Sequence, residues 1–145
     1  MKVLLQRVTQ ASVDVAGETV GEIQRGLLLL VGIERHDSTE LVARMADKVL
    51  AYRVFADAAD KMNLSVRDIA GGVLAVSQFT LAADTQKGLR PSFSCAAPPD
   101  QAAELFDLFL RELRTRHQPV ASGIFAADMQ VHLVNDGPVT FLLEL

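Results

Sequence analysis

The chain has 145 residues, of which 50% are hydrophobic and 22% are charged, and its formal net charge is −4. This length predicts a single domain over residues 1–145, and the composition excludes an intrinsically disordered chain. The apolar runs are too short to cross a membrane, and the acidic charge argues against a surface that binds nucleic acid everywhere. Cys95 is the only cysteine, and residues 1–8 lack a signal-peptide pattern, so we expect a cytoplasmic protein.

The N-terminal third of the chain predicts a β meander. Short β-like runs lie at residues 3–8, 12–15 and 19–23. Ala16-Gly17-Glu18 separates the last two runs and suits a tight hairpin. A strand at each run would therefore bring neighbouring segments together in antiparallel order.

The middle of the chain predicts a central strand, a helix and a second core strand. Residues 27–33 are apolar without alternation, as expected of a strand covered on both faces. Asp37-Ser38-Thr39-Glu40 is typical of a helix start, and apolar residues recur at helical spacing over 41–50. Residues 73–81 predict another strand, in which polar residues interrupt the apolar run.

The last third predicts a long loop, a second helix and further strands. The loop spans residues 82–99, and long loops in compact domains are often functional. Pro98-Pro99-Asp100-Gln101 can open a helix, which should end near His117-Gln118-Pro119. Alternation from Met129 onward and the apolar segment Phe141–Leu145 predict strands. The whole pattern is α+β.

A Gly-Pro pair stands between the last two strand-like segments. Asn135–Thr140 contains the turn signal Asp136-Gly137, followed by Pro138. Proline has no N–H to donate to a sheet and has a fixed φ, so the carbonyls here should point away from a ladder. Unpaired backbone groups on a rigid turn are candidates for holding a ligand.

Side-chain chemistry is sparse in this sequence. His36, His117 and His132 lack metal-ligand spacing, and His132 is the best functional candidate among them because it lies close before Asn135. The sequence has neither a phosphate-binding loop nor a dinucleotide fingerprint. We therefore expect no metal and no cofactor.

Polar residues also stand at the end of the strand predicted over 73–81. Ser77 or Thr80 could act as a nucleophile only beside a base, and no base is evident from the sequence. The alternative is that these hydroxyls satisfy backbone groups at the strand end. Residues 87–93 form a basic segment of the sort that contacts phosphate, or else a solvated loop.

Two motifs together resemble the D-aminoacyl-tRNA deacylase family, whose members hydrolyse D-amino acids from mischarged tRNA. They are Ser77–Leu81 and Asn135–Thr140. The resemblance extends over essentially the whole chain and includes Gln6-Arg7-Val8, Lys61–Ser65 and Arg90–Phe93.

The resemblance implies a mostly antiparallel, barrel-like sheet with two main helices, in a chain that forms a homodimer. In the family the Gly-Pro bond is cis and reaches into the active site of the other subunit, so Gly137 and Pro138 would be a chirality gate. A D-residue keeps its side chain away from this gate, whereas an L-residue drives its Cβ into rigid backbone. Glycine has no Cβ, which predicts that glycyl-tRNA is also cleaved.

The resemblance also implies catalysis without a side-chain triad. The substrate's own terminal 2′-OH would assist ester hydrolysis, and main-chain N–H groups near Ser77 through Thr80 would stabilise the oxyanion. Thr80 would position the strand or, in the competing idea, act as the nucleophile. The other implied site residues are Ser77, Gln78 and Phe79 at the adenosine and ester site, Met129 at the pocket, and Lys87 and Arg90 at acceptor-stem phosphates.

Three other interpretations stay open at this point. A non-catalytic RNA- or DNA-binding module is disfavoured by the acidic charge and by the 6% aromatic content. A hydrolase with Thr80 as nucleophile lacks a visible base. A purely structural dimer module explains the apolar strands but not the polar strand ends. The expected partners are aminoacyl-tRNA and a second copy of the chain, with no membrane and no DNA.

Overall fold

The computed structural model describes residues 1–86 and 88–145, so the contact predicted for Lys87 lies outside the described residues. The elements follow the chain in this order: β1 (Lys2–Val15), β2 (Glu18–Ile23), β3 (Gly26–Gly32), α1 (Thr39–Ala51), β4 (Phe55–Ala56), β5 (Met62–Leu64), β6 (Gly72–Ser77), a 3₁₀ helix (Phe79–Ala82), α2 (Pro99–Arg116), β7 (Val120–Ser122) and β8 (Gln130–Glu144). Among the described residues, no helix is long and apolar enough to cross a membrane.

The long strand β1 organises the main sheet. One edge of β1 pairs with β8, while the other edge pairs with β3 and then with β2, all antiparallel. The sheet continues from β3 to β6 and from β6 to β7 in parallel. A Cβ built on Gly21 in β2 would lie 2.7 Å from the carbonyl oxygen of Ser122 in β7. The strands β2 and β7, at the two ends of the order β2-β1-β3-β6-β7, therefore nearly meet, which confirms the barrel-like, mostly antiparallel sheet.

The central strand β3 separates two hydrophobic cores. Leu27, Leu29 and Val31 belong to the core beneath the two helices. Leu28 belongs to a second cluster inside the curved sheet, together with residues such as Val13 and Leu74. The prediction of a strand covered on both faces is confirmed, because successive side chains of a strand point to opposite faces.

Both predicted helices are present and pack on the same side of the sheet. Ser38 caps α1, with its Oγ accepting the Leu41 N–H at 3.3 Å. Helix α2 begins at Pro99, a favoured residue in the first turn, and ends at Arg116, close to the predicted end. Phe106 and Phe109 on its buried face complete the core under the helices.

The strand predicted over residues 73–81 was wrong at its end. β6 stops at Ser77, and the Gln78 N–H makes a bond of 2.7 Å to the Val31 carbonyl. Gln78 then turns the chain with φ −141° and ψ 80°, and the 3₁₀ helix begins at Phe79. The side chains of Phe79 and Thr80 consequently leave the sheet.

The turn predicted at Gly137-Pro138 was also wrong, because the chain does not reverse there. β8 runs through the motif, with Thr140 opposite Gln6 and Asn135 opposite Val8. The six residues from Asn135 to Thr140 in β8 therefore lie opposite the three residues from Gln6 to Val8 in β1. The extra residues of β8 form a bulge within this strand. The two strand-like segments on either side are two halves of β8. At the other end of the chain, the two runs predicted at 3–8 and 12–15 are likewise one strand, β1.

Candidate active site

A cleft of about 490 Å³ opens where β6 ends beside the start of α2. Its walls come from β3, the end of β6, the start of α2 and the segment that leads into β8: Val31, Ile33, Val76, Ser77, Gln78, Phe79, Ala97, Pro99, Ala102, Phe106, Phe125, Ala126, Ala127, Met129 and Val131. None of these described lining residues carries an ionisable side chain. The cleft therefore offers mainly apolar surface, together with backbone polar groups and the neutral side chains of Ser77 and Gln78.

The backbone at the end of β6, beside the cleft, presents hydrogen-bond donors that have no partner among the described residues. The first N–H groups of a helix have no partner within the helix. At this 3₁₀ helix the Leu81 N–H donates to the Gln78 carbonyl at 3.2 Å, whereas the hydrogen bonds found among the described residues use neither the Phe79 nor the Thr80 N–H. Two adjacent main-chain donors are thus left at the end of β6.

The side chains of Gln78, Phe79 and Thr80 have different environments. Gln78 Nε2 donates to Thr80 Oγ1 at 2.5 Å, and Thr80 is exposed and does not line the cleft. The Phe79 side chain is 60% exposed, although it lines the cleft, and its ring lies 5.1 Å from the ring of Phe93. Of the segment predicted from sequence, Ser77 to Phe79 therefore form part of the cleft wall, whereas the exposed hydroxyl of Thr80 lies outside it.

The bulge in β8 is closed by the side chain of Asn135. Its Oδ1 accepts the Val139 N–H at 2.7 Å, and its Nδ2 donates to Thr140 Oγ1 at 3.0 Å and to the Val139 carbonyl at 3.3 Å. Val139 is itself buried in the core under the helices. One side chain thus replaces the ladder bonds that the bulge interrupts, which fixes the shape of the bulge.

Arg7 holds the bulge from the neighbouring strand. Its Nε donates to the Asp136 carbonyl at 2.9 Å, and its Nη1 donates to the Val54 carbonyl at 2.7 Å. The Arg7 side chain is only 15% exposed, so both bonds lie in a partly buried environment. The guanidinium fork joins β1, the bulge and the segment before β4 into one rigid unit.

The Gly137–Pro138 peptide bond is cis, in agreement with the resemblance. Gly137 has φ +141°, and a Cβ built on it would lie 2.7 Å from Val139 Cγ2. Both Gly137 and Pro138 are exposed, and neither lines the cleft of its own chain. The bulge therefore presents its tip outward.

The remaining predicted residues lie at different distances from this cleft. Met129 lines it, whereas Arg90 is exposed and is not part of its wall. His132 is exposed, with its Nε2 at 3.2 Å from Asp14 Oδ2 on the neighbouring strand. Within residues 1–86 and 88–145, no three His, Cys, Asp or Glu side chains converge on a point that could hold a metal ion.

Sequence reasoning missed several residues that shape the site. Arg7 was predicted only as part of the resemblance, although an arginine within an apolar strand is a signal of a fixed partner. Phe106 and Phe125, whose rings are 6.3 Å apart, form an aromatic wall of the cleft. Phe106 carries no such signal, because it lies at a core position of α2 by spacing.

The carboxyl groups whose pKa is shifted lie away from the cleft walls. The pKa of Asp57, between β4 and β5, is lowered chiefly by a hydrogen bond from the Asn63 side chain, and further by the Lys61 and Ala59 N–H groups. These bonds favour the ionised carboxylate and order the hairpin.

A family model described as D-Tyr-tRNA(Tyr) deacylase matches residues 4–144. A D-aminoacyl-tRNA deacylase of Saccharophagus degradans is 66% identical over 145 residues, which cover 100% of both chains. A D-aminoacyl-tRNA deacylase of Cellvibrio japonicus is 61% identical over 142 residues, or 98% of this chain and 97% of the relative.

Two solved structures share the fold over nearly the whole chain. One is described as "c-Myc DNA Unwinding Element Binding Protein", with a TM-score of 0.96, 44% identity, and coverage of 100% of this chain and 99% of that one. The other is described as "a probable eukaryotic D-amino acid tRNA deacylase", with a TM-score of 0.87, 19% identity, and coverage of 99% and 98%. With the family model and the close relatives, these matches leave one conclusion: the chain belongs to the D-Tyr-tRNA(Tyr) deacylase family.

Proposed function

We propose that this chain hydrolyses the ester bond of D-aminoacyl-tRNA in the cleft at the end of β6. The observation that carries the proposal is the pair of N–H groups at Phe79 and Thr80 that have no hydrogen-bond partner among the described residues, beside a largely apolar cleft whose described lining has no ionisable side chain. Such donors suit the oxyanion that forms when water adds to an ester carbonyl. The family supplies the substrate class, and the cleft supplies a place for its reacting end.

The proposed reaction uses the ribose of the substrate in place of a side-chain base. Water adds to the ester carbonyl carbon, and the negative charge on the carbonyl oxygen is held by the two N–H groups. The bond between this carbon and the ribose 3′-oxygen then breaks, and the proton that the added water gives up passes through the neighbouring 2′-OH to the 3′-oxygen. The products are the free amino acid and a tRNA with both terminal hydroxyls restored.

A proline substitution can remove one of the two donors selectively. Phe79→Pro removes the ring and the N–H, whereas Phe79→Ala removes the ring alone. Proline suits this position, since Phe79 is the first residue of the 3₁₀ helix, and the φ of about −50 to −70° that is typical of such a helix includes the proline value. If the N–H holds the oxyanion, kcat falls by about 100-fold or more from Phe79→Ala to Phe79→Pro. Equal kcat values for the two variants would rule this donor out.

Thr80 serves a supporting role in this proposal. Its hydroxyl accepts a bond from Gln78 and lies outside the cleft wall, and no base contacts it among the described residues. Thr80→Ala should therefore keep most of its activity, while a D-aminoacyl-tRNA ending in 2′-deoxyadenosine should resist cleavage. The reverse pair of results would establish Thr80 as the nucleophile and sink the substrate-assisted mechanism.

We propose further that Gly137 and Pro138 enter the cleft of a second copy of the chain and reject L-amino acids. Two features support this. The tip of the bulge is exposed outside its own cleft, and the edge strand β8 exposes several large apolar side chains: Leu133, Val134, Phe141 and Leu142. An exposed apolar edge strand is a pairing surface. A rigid backbone gate would exclude the Cβ of every L-residue alike.

Mixing two variants tests whether the gate acts across subunits. Gly137→Ala alters the gate and leaves the cleft, whereas Ala127→Trp fills the cleft and leaves the gate. In a mixed dimer, the open cleft of the first chain faces the native gate of the second. Mixing should therefore lower the cleavage of L-tyrosyl-tRNA below the sum of the two separate components while the cleavage of D-tyrosyl-tRNA is kept. A mixture that behaves as the sum of its two separate components would show that each gate serves its own chain.

A further inference from the structure

The rim of the cleft carries an exposed aromatic pair that the ester chemistry does not use. Phe79 is 60% exposed and Phe93 is 42% exposed, and their rings lie 5.1 Å apart at an interplanar angle of 50°. Phe79 lines the cleft, while Phe93 lies outside its wall. The pair, termed here the aromatic rim, therefore extends an apolar surface from the cleft outward.

The backbone that carries Phe93 is fixed to the body of the protein. Ser92 and Asp84 exchange two backbone bonds, of 2.8 and 3.0 Å, and the Ala96 N–H donates to the Phe93 carbonyl at 3.1 Å. The Cys95 carbonyl accepts the Arg35 N–H at 2.9 Å. The backbone on both sides of Phe93 is thus held by hydrogen bonds, so the fold itself exposes this ring at the rim.

Positive charge accompanies the aromatic rim. Arg90 and Arg35 are exposed, and neither takes part in a salt bridge among the described residues. Of the acidic groups near Arg35, Glu34 and Asp37 are already bonded to the α-amino group of Met1, at 2.8 and 2.6 Å. Glu34 Oε1 also lies 3.9 Å from Lys2 Nζ, so both carboxylates of this turn have cationic partners other than Arg35.

We propose that the aromatic rim, with Arg90 and Arg35, binds the unpaired nucleotides that precede the terminal adenosine of the tRNA. This inference rests on the proposed function, which places the adenosine and the ester in the cleft. Phe79 lines the cleft and its ring adjoins Phe93, so the rim offers the next nucleotides of the strand a surface that is continuous with the cleft. Exposed aromatic rings with flanking cations are the combination that binds single-stranded nucleic acid, through base stacking and phosphate contacts.

The rim gives the enzyme a way to bind any tRNA, because every base has a face that can stack. Phe93 would stack the base of the penultimate nucleotide, and the two arginines would contact backbone phosphates. Recognition would then depend on the single-stranded 3′ end that tRNAs share. The cleft would then hold only the terminal adenosine and the aminoacyl group.

The test compares Phe93→Ala with the native chain on two substrates, D-tyrosyl-tRNA and the D-tyrosyl ester of adenosine. Phe93→Ala should raise KM for the tRNA about ten-fold, and the ratio of KM values between the two substrates should change by the same factor. Phe93→Tyr should restore the native ratio. Leu89→Ala, which removes a fully exposed aliphatic side chain from the same loop, is the matched control and should change neither KM.

A turnover-free measurement separates this inference from the proposed function. Fluorescence anisotropy follows the binding of a labelled RNA that ends in CCA and carries a D-tyrosyl amide in place of the ester. Weaker binding by Phe93→Ala would support the rim even if the native chain hydrolysed neither ester, in which case the proposed function alone would fail. An equal loss of affinity for the RNA and for the corresponding adenosine amide, or no loss for either, would overturn the rim.

Discussion

Substituting alanine for Gly137 tests whether the bulge in β8 is as rigid as a backbone gate requires. A non-glycine residue held at an unfavourable positive φ costs about 1–3 kcal/mol. The new Cβ would also lie 2.7 Å from Val139 Cγ2 and 3.0 Å from the Val139 nitrogen. Overpacking of this kind costs about 1–3 kcal/mol more. We therefore expect Gly137→Ala to lower the free energy of unfolding by about 2–6 kcal/mol.

Gly17 provides a matched control for the backbone term. It lies in the hairpin between β1 and β2 with φ +84°, and a Cβ built there meets nothing within 4 Å. Gly17→Ala should therefore cost only the strain of the positive φ, about 1–3 kcal/mol. The difference between the two variants isolates the contact with Val139. Both free energies should be measured by urea unfolding at one protein concentration, since association would otherwise shift them.

Equal destabilisation by the two substitutions would contradict a rigid bulge. It would mean that the backbone of the bulge moves to accommodate the new methyl group with no loss of folding free energy. A backbone that moves so easily for its own Cβ atom could not exclude the Cβ atom of an L-amino acid. Gly137→Ala should also reduce the ratio of rates on D-tyrosyl-tRNA and L-tyrosyl-tRNA, whereas Gly17→Ala should leave this ratio unchanged.

Three further predictions concern the supports of the bulge and one hairpin. Arg7→Lys should destabilise the protein by about 1–3 kcal/mol, because a lysine cannot reach both the Asp136 and the Val54 carbonyls; urea unfolding checks this, and a native midpoint would contradict it. Asn135→Asp, which keeps the acceptor for the Val139 N–H but loses the amide donor, should be less damaging than Asn135→Ala, and the order of the two melting temperatures decides. Asp57→Ala should lower the melting temperature at neutral pH. The pKa of this carboxyl is lowered in the folded state, so its contribution is present above its unfolded pKa and is lost as the pH falls through the folded pKa. The difference from the native chain should therefore vanish in acid, and a difference that persists there would point to a cause other than the charge.

The predicted elements succeed where local patterns and global packing agree. The unbroken apolar run of β3 predicted a strand covered on both faces, and the capping signature at Ser38 predicted the start of α1. In both cases the local sequence pattern favours the same structure as the packing of the whole fold. The short strands β4, β5 and β7 carried no comparable pattern, because only two or three residues of each take part in pairing.

The two boundary errors have one cause. The residues Phe79-Thr80-Leu81 have strand propensity, and Asp136-Gly137 has turn propensity, yet long-range pairing overrides both. β6 ends because Gln78 turns away after its bond to Val31, and β8 continues because both of its halves pair with β1. A single sequence does not reveal these pairings. These pairings nevertheless place the N–H groups that lack a partner among the described residues at the end of β6, and the outward bulge in β8.

Some residues of the proposed site were likewise predicted from the sequence, and others were not. The polar strand end and Met129 were named from sequence, and the structure brings them together in one cleft. The rigid unit around Arg7 and the ring of Phe93 could not be predicted, because each depends on partners more than ten residues away in the sequence.

The most direct test of the account is the relative rate at which the native chain cleaves D-tyrosyl-tRNA, L-tyrosyl-tRNA and glycyl-tRNA. A backbone gate predicts that the D-ester and the glycyl ester are hydrolysed at enzyme concentrations that leave the L-ester intact. Cleavage of the D- and L-esters at equal rates would contradict the gate. An enzyme that clears the D-ester but leaves glycyl-tRNA intact would contradict exclusion by the Cβ atom.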